Sequence, residues 1–314
     1  MPQTGLTPAD YGRSVVAVPP LALAPDGGVA VAANRDLMRH IAQGGVTTLL
    51  YGGNANLYHF GAALFREAVE VLVAERPAGA ELVLSIGPDF GKAMDQAADV
   101  LRAGVANVML LPMIFPADRR GVAEGVRRLA DRLGHGLVLY VKRENYVAPD
   151  DLARLVESGE VRFVKYAVER PEPASDAYLD SLVAAIGTGH IASGMGETPV
   201  IDHIGRRRLV TYTSGAVCIA PAAANEALAA CRAGRLAETQ RLLEPFLAFE
   251  RARTRLGGTA VLHDAVTLSG IADCGTLLPL LANLDAPEKA EIRPLIAALQ
   301  AAEEAACARL AAAA

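Results

Sequence analysis

Eight short, apolar, β-prone runs separated by stretches of helical spacing constrain this chain more than any other feature. The runs cover residues 14–21, 47–53, 81–87, 107–112, 136–142, 162–167, 190–194 and 209–215. Between many of them the apolar residues recur at helical intervals, as in 34–43, 60–76, 93–103, 119–133 and 149–158. Strands that alternate with helices pair in parallel, because each crossover needs a connection long enough to return the chain to the same edge. Eight such repeats, covered on both faces, predict the α/β class and a (β/α)8 TIM barrel. Local punctuation agrees. Gly44 and Gly104 each follow a helical pattern and precede a strand, where a helix C-cap belongs, and Pro149-Asp150-Asp151 is an acidic helix start.

After the eighth run the pattern changes to an alanine- and leucine-rich tail broken at Gly257-Gly258, Gly270, Gly275 and Pro279. The organisation expected is a barrel over 1–221 and a C-terminal helical extension over 222–314, packed on the barrel. The last alanines are expected to fray. A hydrophobic fraction of 52% with 21% charged residues supplies a large core and excludes a disordered chain. The formal net charge of -5 and the short Arg206-Arg207-Arg208 run exclude a nucleic-acid partner. Cys218, Cys231, Cys274 and Cys307 have neither zinc-site spacing nor the density of a disulfide framework. Residues 1–14 are polar and no apolar run reaches the ~18 residues of a membrane span, so no membrane is expected and the cytoplasm is the expected location.

The most informative single residue is Lys165, in Val161-Arg162-Phe163-Val164-Lys165-Tyr166-Ala167, where packing alone would favour valine or isoleucine. A buried ammonium gives up its proton, and a neutral amine attacks ketones to form a Schiff base. Alternation along a strand places Phe163, Lys165 and Ala167 on one face, and Val138, Tyr140 and Lys142 on one face of the preceding run. If the polar groups face the barrel interior, Tyr140 and Lys165 meet at one cavity, at the carboxyl ends of the strands where barrels keep their active sites. The pairing points to amine catalysis by Lys165 with the Tyr140 phenol moving protons. Lys142, on the same face, either depresses the lysine pKa, holds a second substrate carboxylate, or is a solvated rim residue. The second run ends in Tyr51-Gly52-Gly53-Asn54-Ala55-Asn56, a turn whose glycines bring backbone N–H groups close to a carboxylate. The seventh ends in Ser193-Gly194-Met195-Gly196-Glu197, where Gly194 leaves space and Glu197 offers a polar wall or a helix-start charge.

These residues carry a family resemblance over nearly the whole chain. It resembles the dihydrodipicolinate synthase and N-acetylneuraminate lyase superfamily of class I aldolases. The matching parts are Gly52-Gly53-Asn54-Ala55-Asn56, Pro112 with Met113-Ile114-Phe115-Pro116, Leu139-Tyr140, Val164-Lys165, Gly194 and Ser214-Gly215-Ala216-Val217. The run Tyr140-Val141-Lys142-Arg143-Glu144-Asn145 and the Gly52-Gly53 turn are most similar to the 5-dehydro-4-deoxyglucarate dehydratase branch. The resemblance implies an iminium on Lys165 with a 2-oxo acid, proton relay by Tyr140, carboxylate binding at Gly53-Asn54, and a homo-oligomer, tetramer or dimer. The chain departs from the pattern in three places. Gly53, Asn54, Ala55 and Asn56 stand where family turns carry hydroxyls, a glycine and a glutamate. Met113 and Ile114 stand where synthases carry a tyrosine pair, and no Asn-x-Pro follows Tyr140.

His40, His59, His135, His190, His203 and His263 are scattered without the clustering a metal-dependent aldolase needs, so no metal and no cofactor are expected. The functional expectation is a Schiff-base lyase, aldolase or dehydratase, acting on a pyruvate-like 2-oxo acid or 2-oxo sugar acid. The rival is a barrel that has lost its chemistry and only binds a sugar acid.

Overall fold

Each of the eight runs contains a strand in the computed structural model, which describes residues 5–313. They are β1 (Val16–Ala17), β2 (Thr48–Tyr51), β3 (Glu81–Ile86), β4 (Val108–Leu110), β5 (Leu137–Val141), β6 (Val161–Tyr166), β7 (Ile191–Ser193) and β8 (Thr211–Ser214). All pair in parallel in sequence order, and Val16 lies beside both Thr48 and Thr213, so β8 closes on β1 as a barrel. The expected (β/α)8 TIM barrel is the observed fold, with helices appended at its C-terminal end.

A four-residue helix, α1 (Pro8–Tyr11), precedes the barrel. Thr7 and Asp10 cap it reciprocally, and Tyr11 stacks on Phe163 with ring centroids 4.0 Å apart, an apolar plug over one strand end. The crossovers are α2 (Val31–Gln43), α3 (Ala62–Glu75), α4 (Phe90–Arg102), α5 (Arg119–Leu133), α6 (Pro149–Glu157) and α7 (Ala177–Ile186). A short π-helical turn, Ile201–Arg206, fills the place between β7 and β8. Helix starts follow the sequence chemistry. The Asp118 carboxylate accepts from the N–H groups of Arg120 and Gly121, both at 2.9 Å, and α6 opens on Pro149 with Asp150 and Asp151 in its first turn.

Gly44 is the C-cap of α2 as expected, its N–H returning to the carbonyls of His40 and Ala42, with a negative φ; the left-handed residue is the next one, Gly45, at φ 81°. Gly44 is also small for a packing reason: a Cβ there would fall 2.4 Å from Cγ of Pro221, which begins the helix after β8. At the end of α4 the cap is Ala103, and Gly104 beyond it takes the left-handed conformation, at φ 72°.

Beyond β8 come α8 (Pro221–Arg232), α9 (Leu236–Leu256), α10 (Gly258–Leu268) and α11 (Ala286–Ala313). Helix α8 packs on α2, α9 and α11, and α9 on α10 and α11, so the tail is one layer leaning on the barrel. Among the described residues no helix is long and apolar enough to cross a membrane. Residue 314, at the end expected to fray, lies outside the described residues, as do residues 1–4 of the polar amino terminus. Cys218, Cys231 and Cys274 are buried thiols and Cys307 is exposed; all four are unpaired.

Candidate active site

The β5–β6 register sets Tyr140 directly beside Lys165. Both point into the barrel, and the lysine Nζ stands 4.4 Å from the centroid of the tyrosine ring. Lys165 is only 5% exposed. Burial, then the positive charges of Lys142 and Arg253, lower its ammonium from the usual 10.5 to about 7. Both charges named as acting on it are cationic, so each favours the neutral amine. The Tyr140 phenol shifts the opposite way: burial first, then Tyr58 and Glu169, push it well above its ordinary value and keep the proton on oxygen. One wall therefore carries an amine ready to lose its proton beside a phenol that keeps its own.

Both groups line a cavity of about 870 Å³ at the carboxyl ends of the strands, together with Gly53, Asn54, Asn56, Lys142 and Gly194. Gly194 has a steric reason to be glycine. A Cβ there would fall 2.9 Å from Cγ of Lys165 and 2.8 Å from the carbonyl oxygen of Tyr166, so a side chain would push the lysine stem out of place. Gly52 lies beneath the lining, where a Cβ would come 2.9 Å from Oγ of Ser85. Gly53 faces open space, since its nearest neighbour would be Tyr58 at 3.7 Å, and it lets the chain turn without covering the cavity. Asn56 takes a left-handed conformation at φ 59° and is 6% exposed, with a buried amide nitrogen that has no partner among the described residues.

One expected contact stands at the cavity with its amide engaged within the chain, and one is placed elsewhere. The Asn54 amide is already engaged, donating to the carbonyl of Val18 at 2.9 Å and accepting from Arg253 at 3.2 Å. Glu197, expected as a polar wall, lies behind the lining at 0% exposure and accepts from the Ser214 hydroxyl. Burial, and then the nearby Glu250, raise its carboxyl to about 8, so near neutrality it is a buried acid that keeps its proton.

The structure also brings in groups that sequence reasoning did not name. Glu250 and Arg253 come from α9 and reach across the cavity from the C-terminal layer. Glu169 and Arg170 follow β6, and Arg170 pairs with Asp176 at 3.0 Å and with Glu144. An acid and a base three residues apart on a helix read as a solvated pair, and nothing in the local pattern shows that this face of α9 covers a barrel mouth.

Comparison with known proteins agrees with this architecture. The chain is 25% identical over 309 residues to a protein of Chelativorans sp. named probable 5-dehydro-4-deoxyglucarate dehydratase, covering 92% of this chain and 96% of that one. A protein of the same name from Cereibacter sphaeroides is 28% identical over 236 residues, 72% of this chain and 76% of its own length. Dihydrodipicolinate synthase from Bacillus clausii superposes with a TM-score of 0.79 at 20% identity, covering 94% of this chain and 99% of that one. A prophage protein of the dihydrodipicolinic acid synthase family from E. coli K12, solved in complex with pyruvate, superposes at 0.78 with 17% identity, covering 91% and 98%. No protein-family model matches the chain. In sequence the chain is similar to proteins named as dehydratases, and its fold is that of the dihydrodipicolinate synthase structures.

Proposed function

We propose that this chain is a metal-independent class I lyase that holds a 2-oxo sugar acid as a Schiff base on Lys165 and dehydrates it. The observation that carries the reading is the buried Lys165 amine, lowered to about 7, facing the Tyr140 ring at 4.4 Å inside a cavity large enough for a sugar acid. The dehydratase names of the sequence relatives support loss of water over carbon–carbon cleavage.

The chemistry follows from the two groups. The neutral Nζ attacks the C2 carbonyl carbon to give a carbinolamine, whose oxygen takes a proton from Tyr140 and leaves as water. The resulting iminium withdraws electrons from C3, so the Tyr140 phenolate left by that step can take a C3 proton, giving an enamine. The enamine's electron pair then expels the C4 hydroxyl, which takes that proton back from Tyr140 and leaves as a second water. Hydrolysis of the conjugated iminium frees Lys165. Because the iminium is itself the electron sink, no metal is required, and chelators are expected to leave turnover unchanged. Gly53 with Asn56 and Lys142 are the substrate-facing polar positions on the remaining walls, and Gly194 keeps the lysine stem in place. We also infer a homo-oligomer from the resemblance, a dimer or tetramer, which light scattering on the purified chain tests.

The deciding experiment is borohydride reduction in the presence of pyruvate and of longer 2-oxo sugar acids, followed by intact mass and peptide mapping. The expected result is a reduced imine on Lys165 that disappears in Lys165→Ala, with the longer acids outranking pyruvate. Absence of any adduct on folded protein would favour a barrel that only binds a sugar acid.

A further inference from the structure

We infer that Arg253, delivered by α9 from outside the barrel repeats, is the group that grips the α-carboxylate of the 2-oxo acid while Lys165 holds its carbonyl carbon. The inference rests on the Schiff-base reading and adds to it the substrate's anchor. It starts from a shortage. The turn after β2 offers a carboxylate only its backbone N–H groups: Gly52-Gly53-Asn54-Ala55-Asn56 carries no hydroxyl and no charge, and the Asn54 amide is occupied by Val18 and Arg253. The same contact shows what is available instead, because the Arg253 guanidinium lies at that turn and lines the cavity with Lys165.

Its geometry is that of a held ligand-binding group. The side chain is 12% exposed, and a guanidinium carries five N–H bonds. Three are spent: Nε donates to the Gly258 carbonyl at 3.1 Å, one terminal nitrogen to Glu250 at 2.7 Å, and the other to Asn54 at 3.2 Å. One N–H on each terminal nitrogen is left, enough donors for a carboxylate to accept two bonds. The surroundings make room for it. Gly215 at the end of β8 would, with a Cβ, come 3.0 Å from a terminal nitrogen of Arg253 and 2.9 Å from Leu262, so a larger residue would displace the fork. Three elements thus fix the guanidinium: α9 carries it, the start of α10 binds Nε, and the β2 turn orients its far nitrogen. A structural clamp alone would not need to face the cavity that holds the amine. Its charge is felt at Lys165, so the two groups share one electrostatic environment across the cavity they both line.

The test compares pyruvate with pyruvamide, which keeps the ketone and lacks the charge. In the unsubstituted protein, half-saturation of reductive trapping on Lys165 is expected at a concentration at least tenfold lower for pyruvate. In Arg253→Gln the pyruvate value should rise ~10–100-fold, the loss of a charge-assisted two-point contact, while the pyruvamide value stays within about twofold. The ratio separates carboxylate binding from the change in amine basicity, which acts on both ketones alike. Equal shifts for both compounds, or a pyruvate value unchanged in Arg253→Gln, would overturn the inference. Should Arg253→Gln fail to fold, Arg253→Lys keeps a cation but not the fork, and retention of the full pyruvate preference there would equally overturn it. Failure of the Schiff-base reading is distinguished by calorimetry on Lys165→Ala. If Arg253 is the anchor, that variant still binds pyruvate over pyruvamide without an imine, and Lys165→Ala/Arg253→Gln loses the preference.

Discussion

Lys165 is where function and stability oppose each other. Imine formation needs the neutral amine, so with a value of about 7 the trapping rate should climb through that pH and then level, whereas an ordinary lysine would keep gaining until about 10.4. Lys142→Met removes one of the two cations acting on the amine and should move the inflection upward, a displacement visible in the pH profile of single-turnover trapping. The same shift has a stability consequence. Between pH 7 and about 10.4 the unfolded chain holds a proton that the folded lysine has released, so stability rises with pH across that window, and below 7 the cost of burial is fully present. Lys165→Met should therefore abolish trapping yet stabilise the fold at pH 7, by up to roughly 4 kcal/mol at ~1.4 kcal/mol per pKa unit, measured by urea unfolding. That Lys165 is out of place was legible from alternation, since an apolar strand had an unexplained amine; that no carboxylate among the described residues pairs with it was not. Arg253 was not legible, because Glu250 three residues earlier gives it the pattern of a surface ion pair and only tertiary packing shows where α9 points.

The strands were read more easily than the turns that finish them. A buried parallel strand is a continuous apolar run, so its existence is local information, and the five sequence-read helices end within three residues of their observed bounds or closer. Turn chemistry depends on what lies across the gap. Gly44 is the cap it looked like and also a packing residue under Pro221, which only the tertiary structure shows, while Glu197, read as a cavity wall or a helix-start charge, is turned onto Ser214. Gly194 shows how much a strand end can decide. Its N–H donates to the Tyr166 carbonyl at 2.6 Å, continuing the β6–β7 ladder one residue beyond β7, and its bare Cα leaves the lysine stem its channel. Gly194→Ala must move the Tyr166 carbonyl, the Ala167 methyl or Lys165 itself, all within 3 Å of the new methyl. Overpacking of this kind costs ~1–3 kcal/mol, and here the flexible lysine stem yields first. The expected outcome is a trapping rate reduced at least tenfold with a smaller loss of stability; a variant that traps at the normal rate would show that the stem has room the geometry denies it.

At the scale of the whole molecule, the barrel and the C-terminal layer line one cavity, so their docking has to be specified. Barrel closure is held in part by Asn225 on α8, which accepts from the N–H of Val15 at 2.9 Å and donates to the carbonyl of Gly44 at 3.0 Å. Helix α8 itself begins without a side-chain cap of its own, since its N-cap is Ala220. The missing acceptor comes from α11: the Glu303 carboxylate accepts from the N–H groups of Ala222 and Ala223 at 3.1 and 3.0 Å. A carboxylate on the exposed N–H groups of a first turn satisfies two orphan donors and the positive end of the helix dipole together. Cap and dipole contributions of this kind run to about 1 kcal/mol each. Glu303→Ala should therefore lower stability by ~1–2 kcal/mol in thermal or urea unfolding. Glu303→Gln, which keeps an acceptor but loses the charge, should recover about half. Because Glu303 binds the start of α8 and the Cys307 thiol on its own helix, and none of these lines the cavity, the pyruvate concentration that half-saturates trapping should stay unchanged in the folded fraction. A change in that value would mean instead that the layer's grip on α8 also sets the position of α9 over the cavity, and that the appended helices tune the site as well as complete it.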